Sequence, residues 1–165
     1  MSAPLILDPC CGGRMMWFDR QDQRALFGDI RSEDHTLCDG RAFSITPDLN
    51  MDFRAMPFPD DTFYAVSFDP PHLRRAGRDS WLRAKYGILG DDWEHDLAQG
   101  LAECFRVLRP GGLLIFKWAE VQIPVSQILA LTDEKPLFGH KSGKREKTHW
   151  LTFIKPLSEG ARHGE

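Results

Sequence analysis

The chain has 165 residues, 42% hydrophobic and 27% charged, which is the size and composition of one globular domain built around one core. No apolar run approaches the length needed to cross a bilayer, so a helical membrane protein is excluded and no membrane partner is expected. A net charge of -3 argues against a protein that grips nucleic acid over its whole surface. Two local basic clusters remain: Arg74, Arg75, Arg78, Arg83 and Lys85, and Lys141, Lys144, Arg145 and Lys147.

Cys10 and Cys11 are adjacent while Cys38 and Cys104 stand alone, so neither a disulfide framework nor a zinc spacing arises. Reduced thiols and no metal site are expected. Met1-Ser2-Ala3-Pro4 lacks a basic start and a cleavage site, which points to a cytoplasmic protein.

Leu5-Ile6-Leu7 is a short buried strand stopped by the turn Asp8-Pro9-Cys10-Cys11-Gly12-Gly13. Met15 to Arg24 is compatible with a short helix, with Met15, Met16 and Phe18 as packing and Trp17 as a cover for a ligand. Ala25-Leu26-Phe27 gives a second strand closing on Gly28-Asp29. Asp39-Gly40 signals an inserted hairpin, and a third strand lies near Leu49-Asn50-Met51.

Tyr64 to Phe68 is the clearest buried strand, and it runs into Asp69-Pro70-Pro71, which must leave the sheet because proline supplies no ladder N–H. Arg74 to Gly90 reads as a long loop holding one helical turn. Asp92 to Leu108 is amphipathic, with Trp93, Leu97, Leu101, Cys104, Phe105 and Leu108 on one face. Arg109-Pro110-Gly111-Gly112 stops that helix. Leu113 to Phe116 is a strand, Val121 to Leu131 a last helix, and Leu137-Phe138 and Trp150 to Ile154 closing strands. The alternation implies a three-layer α/β fold with a mostly parallel sheet.

Open parallel sheets bind ligands beyond the carboxyl ends of their strands. Asp8, Asp29, Asp52 and Asp69 all fall at such ends, so the fold gathers four carboxylates on one rim. Gly12-Gly13 permits close backbone approach, and Asp29 stands at the distance usual for a carboxylate that binds ribose hydroxyls. An adenosine-containing cofactor fits, whereas the missing G-x-G-x-x-G and Walker patterns disfavour NAD and ATP.

With Leu7 to Gly13, the stretch Asp52 to Phe63, Asp69-Pro70-Pro71-His72 and Val107 to Gly112 in this order, the chain resembles class I S-adenosylmethionine-dependent methyltransferases. It is most similar to the small, prophage-type DNA amino-methyltransferases with a [DNS]-P-P-[YFW] motif. The resemblance spans Leu5 to Lys155. It implies a Rossmann-like sheet of about seven strands with helices on both faces, a single domain over residues 1–157, and a flexible tail over 158–165.

It further implies that S-adenosylmethionine is the cofactor and S-adenosylhomocysteine the product. Asp8, Pro9, Cys10, Gly12 and Gly13 would hold the methionine end, Asp29 the ribose, and Asp52 with Phe53 the adenine. Asp69 and the Pro70 carbonyl would accept hydrogen bonds from a target amine, on a loop stiffened by Pro70 and Pro71. His72 stands where the family carries an aromatic ring. Imidazole can stack, donate, accept or carry a proton.

Adenine N6 of DNA is the first choice of acceptor, with cytosine N4 and guanine N2 chemically close and a base flipped or single-stranded. An RNA or small-molecule N-methyltransferase, or a non-catalytic cofactor-binding module, are the alternatives. Arg74, Arg75, Lys117, Trp118, Lys141, Lys144 and Arg145 are the expected substrate contacts, with Lys117 on phosphate and Trp118 stacking.

Overall fold

A computed structural model describes residues 4–36, 39–78 and 80–157, with every side chain among them except that of Lys144. The expected tail, 158–165, and Cys38 lie outside the described residues.

The central strand β1 (Ile6–Asp8) pairs in parallel with β2 (Ala25–Asp29) on one side and β6 (Phe63–Phe68) on the other. Beyond β2 lies β5 (Leu49–Asn50), also parallel. Beyond β6 runs parallel β7 (Leu108–Ala119), and then β9 (Thr148–Ile154) and β8 (Phe138–Ser142), joined antiparallel. The order β5-β2-β1-β6-β7-β9-β8 is the expected seven-stranded, mostly parallel, Rossmann-like sheet. Growth of the sheet reverses between β1 and β6, which places the ligand crevice at the carboxyl ends of those two strands. The inserted hairpin also forms, as β3 (Glu33–Thr36) against β4 (Ala42–Ile45).

Side chains alternate across the sheet, and the main core forms on one face. Leu7, Val66, Phe68, Leu114, Phe116 and Phe153, each at most 1% exposed, meet Trp93, Leu97, Leu101, Cys104 and Val107 of α2 (Trp93–Val107). Burying each large apolar side chain there contributes about 1.5–3 kcal/mol. Cover of the two faces is unequal: on the other, Ile6, Ala25 and Phe27 form a small second apolar cluster with Cys11 and Trp17, and the Arg14 guanidinium lies over the Phe27 ring at 4.0 Å. The two further helices are short, α1 (Trp81–Tyr86) and α3 (Val125–Leu129).

Gly100 lets α2 lie close to the sheet. A Cβ there would stand 2.5 Å from the Phe53 ring, which is itself wedged edge-on against Phe68. Alanine is the better helix former, yet the overlap outweighs that preference. Gly100→Ala is therefore expected to lower stability by about 1–2 kcal/mol, read as a lower urea midpoint with an unchanged slope.

Several elements differ from the sequence reading. Residues 15–24 form turns, not a helix, because Asp19 and Asp22 accept from the backbone N–H groups of Gln21 and Arg24 and so close local turns. Arg14, at φ 53°, already breaks helical geometry. The last helix is confined to Val125–Leu129, entered from extended Pro124. Strand β7 runs three residues past the expected Phe116, to Ala119.

Candidate active site

Asp8 ends β1 and is 2% exposed. Its Oδ2 accepts from Trp17 Nε1 at 2.7 Å, and its Oδ1 from the Cys10 N–H at 3.3 Å. Burial pushes the carboxyl up from its ordinary 3.8 to about 7, against those two hydrogen bonds. Trp17 is thus a positioning residue for Asp8, with its ring edge on Phe27 at 4.9 Å. Burial likewise pushes the Cys10 thiol up and the Cys11 thiol to about 12, so neither is a thiolate at neutral pH.

Asp29 ends β2 and shapes the first loop: its Oδ2 accepts from the Gly12 N–H at 2.9 Å and its Oδ1 from the Arg31 N–H at 2.9 Å. Gly12 adopts φ 48°, the left-handed turn its sequence position requires. Arg31 Nη1 then reaches the Ala84 carbonyl at 3.0 Å, tying α1 to the rim above Asp29. Beside it, Ile30 stands 61% exposed, an apolar side chain at the rim.

The expected adenine contacts are not brought to the same place. Asp52 is engaged by Arg54, whose Nη2 donates to Oδ2 at 2.6 Å and whose Nη1 continues to Asp96 at 2.9 Å. That hydrogen bonding holds the Asp52 carboxyl below its ordinary range. Phe53 is packed between Phe68 and Gly100, and Pro9 is buried beneath the first loop.

Asp69 follows β6 directly. Lys117 Nζ donates to its Oδ2 at 2.6 Å, and His72 Nε2 lies 2.9 Å from its Oδ1, a close contact outside hydrogen-bond geometry. Oδ1 and His72 Nδ1 are buried with no hydrogen-bond partner among the described residues. Burial pushes the Asp69 carboxyl up, but His72 and Lys117 outweigh it and hold the group below its ordinary range. His72 is 8% exposed and sits edge-on to Trp118, with ring centroids 5.0 Å apart.

A cleft of about 440 Å³ joins Asp8 to Asp69, bounded by Asp8, Cys10, Gly12 and Gly13 on the β1 side and by Asp69, Pro70 and His72 on the β6 side; Asp29 and Asp52 do not line it. Cys11, Met15, Met16, Arg31, Lys85, Tyr86, Lys117 and Trp150 complete its walls. The sequence reading misses Arg31 and Trp150, for which it offers no signal beyond residue type.

The expected substrate contacts divide. Lys117 lines the cleft, although its ammonium meets Asp69 and not open space. Trp118 is fully buried, its Nε1 donating to the Ile123 carbonyl at 3.0 Å, so it does not stack at the mouth. Successive strand residues face opposite ways, and Lys117 takes the cleft face. Trp150, its cross-strand partner, takes the place expected of Trp118.

Arg75 lies outside the cleft, on Asp91 at 2.8 Å; Arg74 also neighbours Asp91, at 3.7 Å. Gln122 Oε1 accepts from both of their backbone N–H groups. Lys141 pairs with His149, on the face of β8 away from Lys117, and Arg145 lies in the exposed turn beyond it. The Lys144 side chain is outside the description. Among the described residues no cluster could hold a metal ion, and no helix is long and apolar enough to cross a membrane.

No protein-family model and no curated protein matches the chain. Solved structures do. The PH0226 protein from Pyrococcus horikoshii OT3 aligns over 91% of this chain and 81% of its own, with TM-score 0.59 and 15% identity. A Burkholderia thailandensis 1,6-didemethyltoxoflavin-N1-methyltransferase, solved with 1,6-didemethyltoxoflavin and S-adenosylhomocysteine, aligns over 93% and 72%, with TM-score 0.53 and 11% identity. The [4+2]-cyclase SpnF aligns over 93% and 74%, also with TM-score 0.53, at 13% identity. These likenesses establish the Rossmann-like methyltransferase fold. Because one of them is a cyclase, the chemistry has to be argued from the site.

Proposed function

We propose that this chain transfers a methyl group from S-adenosylmethionine to an exocyclic amino group of a nucleobase, adenine N6 of DNA being the first choice. The observation that carries this reading is Asp69 Oδ1. It belongs to a buried carboxylate beside Pro70 in the same cleft as Gly12 and Gly13, with His72 Nε2 2.9 Å away and no hydrogen bond of good geometry on it among the described residues. A carboxylate oxygen accepts more than one hydrogen bond, so Oδ1 has capacity for a ligand N–H beside that neighbour.

The donor set suits the cofactor. Asp8, one wall of the cleft, is suited to an ammonium group, which would draw it to its ionised form. Asp29, 4% exposed at the end of β2, accepts one hydrogen bond on each oxygen and has Arg31 Nε 3.5 Å from Oδ1, which leaves Oδ2 as the oxygen with capacity for a ribose hydroxyl. Exposed Ile30 next to it offers an apolar face to a base. When bound, the cofactor supplies an electrophilic methyl on a sulfonium.

The residues of the chain then do the rest. Asp69 Oδ1 and the Pro70 carbonyl accept the two N–H bonds of the acceptor amine and so aim its lone pair across the cleft. Lys117 keeps Asp69 ionised and holds its carboxylate in place. Tyr86 and Trp150 narrow the walls and exclude water. The toxoflavin neighbour is likewise a methyltransferase acting at nitrogen.

That neighbour, and the engagement of Arg74 and Arg75 by Asp91, favour a second reading in which the acceptor is a small heteroaromatic amine.

The test is incubation with methyl-tritiated S-adenosylmethionine and unmethylated DNA, RNA or free nucleosides, followed by nucleoside analysis. Label on adenine N6 of DNA, absent with Asp69→Ala, is the expected result. Label only on nucleosides would select the second reading. Cofactor binding without label on any acceptor would leave a non-catalytic binding module.

A further inference from the structure

The face of the sheet turned away from α2 is open at its β8 end and carries aromatic rings there. Trp150 on β9 lines the cleft, and His140, its cross-strand partner on β8, stands exposed beside it. Their ring centroids lie 6.5 Å apart, with planes within 5° of parallel. Phe138, two residues along β8, shares that face and is 66% exposed. We infer that these three rings form a path along which a single-stranded nucleic acid leaves the cleft, and that the turn joining β8 to β9 holds its phosphates. The inference rests on the nucleobase reading: the target nucleotide enters beside Asp69, and its neighbours in the strand follow the rings outward.

An exposed phenylalanine and an exposed histidine on one sheet face leave ring surface in water, and bases of any sequence stack on such rings. Open sheets that bind single-stranded RNA use aromatic side chains in this way. Trp150 is a fixed platform: its Nε1 donates to Ser142 Oγ at 3.1 Å, and Lys117 Nζ stands 5.7 Å from its ring centre. The step from Trp150 to His140 is one that an unstacked nucleotide spans. A duplex keeps its bases paired and stacked, and has none to offer these rings.

Charge selects the same partner. Arg145 and Lys147, in the turn after β8, are exposed, and neither forms an ion pair among the described residues. Pairing of Thr148 with Ala119 sets this turn at the carboxyl end of β7, on the rim that holds the cleft. Lys85, in the cleft wall, is likewise without an ion pair, its ammonium resting over Trp81 and Tyr86. A second copy of the chain is the rival occupant of an exposed edge strand. Lys141 on that edge and the basic turn at its end oppose a like copy and suit a polyanion.

The probe is a fluorescein-labelled oligothymidylate of about a dozen nucleotides. Thymine carries no exocyclic amine, so the anisotropy of the probe reports strand contact without methyl transfer. The wild type is expected to bind it roughly tenfold more tightly than a duplex of equal length. Phe138→Ala and His140→Ala, both at exposed positions, are each expected to weaken binding roughly tenfold, at unchanged urea midpoint and unchanged affinity for S-adenosylhomocysteine. Arg145→Gln combined with Lys147→Gln is expected to reduce the slope of log affinity against log salt by about 1.4.

No oligothymidylate binding by the wild type, or binding unchanged in both ring variants, would overturn the path, even with free nucleosides methylated. Duplex bound as tightly would overturn the single-stranded occupant, and an unaltered salt slope the role of the turn. A dimer in sedimentation that Phe138→Ala dissociates, with no oligonucleotide bound, would give the face to a second copy. Binding lost in the ring variants of a protein that methylates nothing would support the path and instead refute the methyl-transfer reading.

Discussion

Asp8→Asn is expected to make the folded chain more stable at pH 8 than the wild type. The native carboxyl, raised to about 7, keeps its proton where the unfolded chain, at an ordinary 3.8, has lost it. Between those values the native state binds more protons, so wild-type stability falls as pH rises through the window. Above it, an ionised carboxylate sits in a buried site. Asparagine removes that cost and can keep the Trp17 hydrogen bond, losing only the long contact from the Cys10 N–H. The gain at pH 8 should be on the order of 2 kcal/mol, with a flatter dependence of the urea midpoint on pH. No gain at pH 8 would mean that Asp8 is not strained when ionised. The strain is what a cationic ligand would relieve, so the stabilised variant should be a poor binder.

Lys117→Met is expected to have the opposite character. Lys117 Nζ, 2.6 Å from Asp69 Oδ2, is one of the two groups that hold Asp69 below the ordinary carboxylate range. In the wild type this pairing contributes stability above the unfolded carboxylate value and loses it as pH falls through the lowered native value. Methionine leaves a buried carboxylate with one charged neighbour fewer, at a cost of about 1–3 kcal/mol at neutral pH. The Asp69 titration should move upward, and kcat should drop roughly 10²-fold with partial recovery at higher pH. A lysine that merely met phosphate would instead raise the acceptor KM, reduce its salt dependence and leave kcat unchanged. The split between kcat and KM, with the pH profile, decides which description holds.

The part of the site legible in the sequence is the part fixed by strand ends. An apolar strand followed by Asp69-Pro70-Pro71 has to leave the sheet, and the carboxyl end of β1 likewise falls where Leu7 meets Asp8 and Pro9. The parallel order, with β6 beside β1, then brings Asp8 and Asp69 together. What composition and spacing do not carry is register. Whether Trp118 or Trp150 faces the cleft depends on β7 continuing to Ala119 and on Lys117 pairing with Trp150, and neither is visible in a local pattern. Side-chain competition is equally hidden: Asp52 sits at a strand end as expected, yet Arg54, two residues on, takes its carboxylate. The turns at residues 15–24 come from Asp19 and Asp22 closing on their own backbone, which hydrophobic periodicity does not register.

The most direct test is calorimetric titration of the protein with S-adenosylhomocysteine at pH 8, on the wild type, Asp8→Asn and Asp69→Ala. Saturable one-to-one binding is expected of the wild type and Asp69→Ala, and little or none of Asp8→Asn despite its greater stability. Absence of binding by the folded wild type, or undiminished binding by Asp8→Asn, would contradict it.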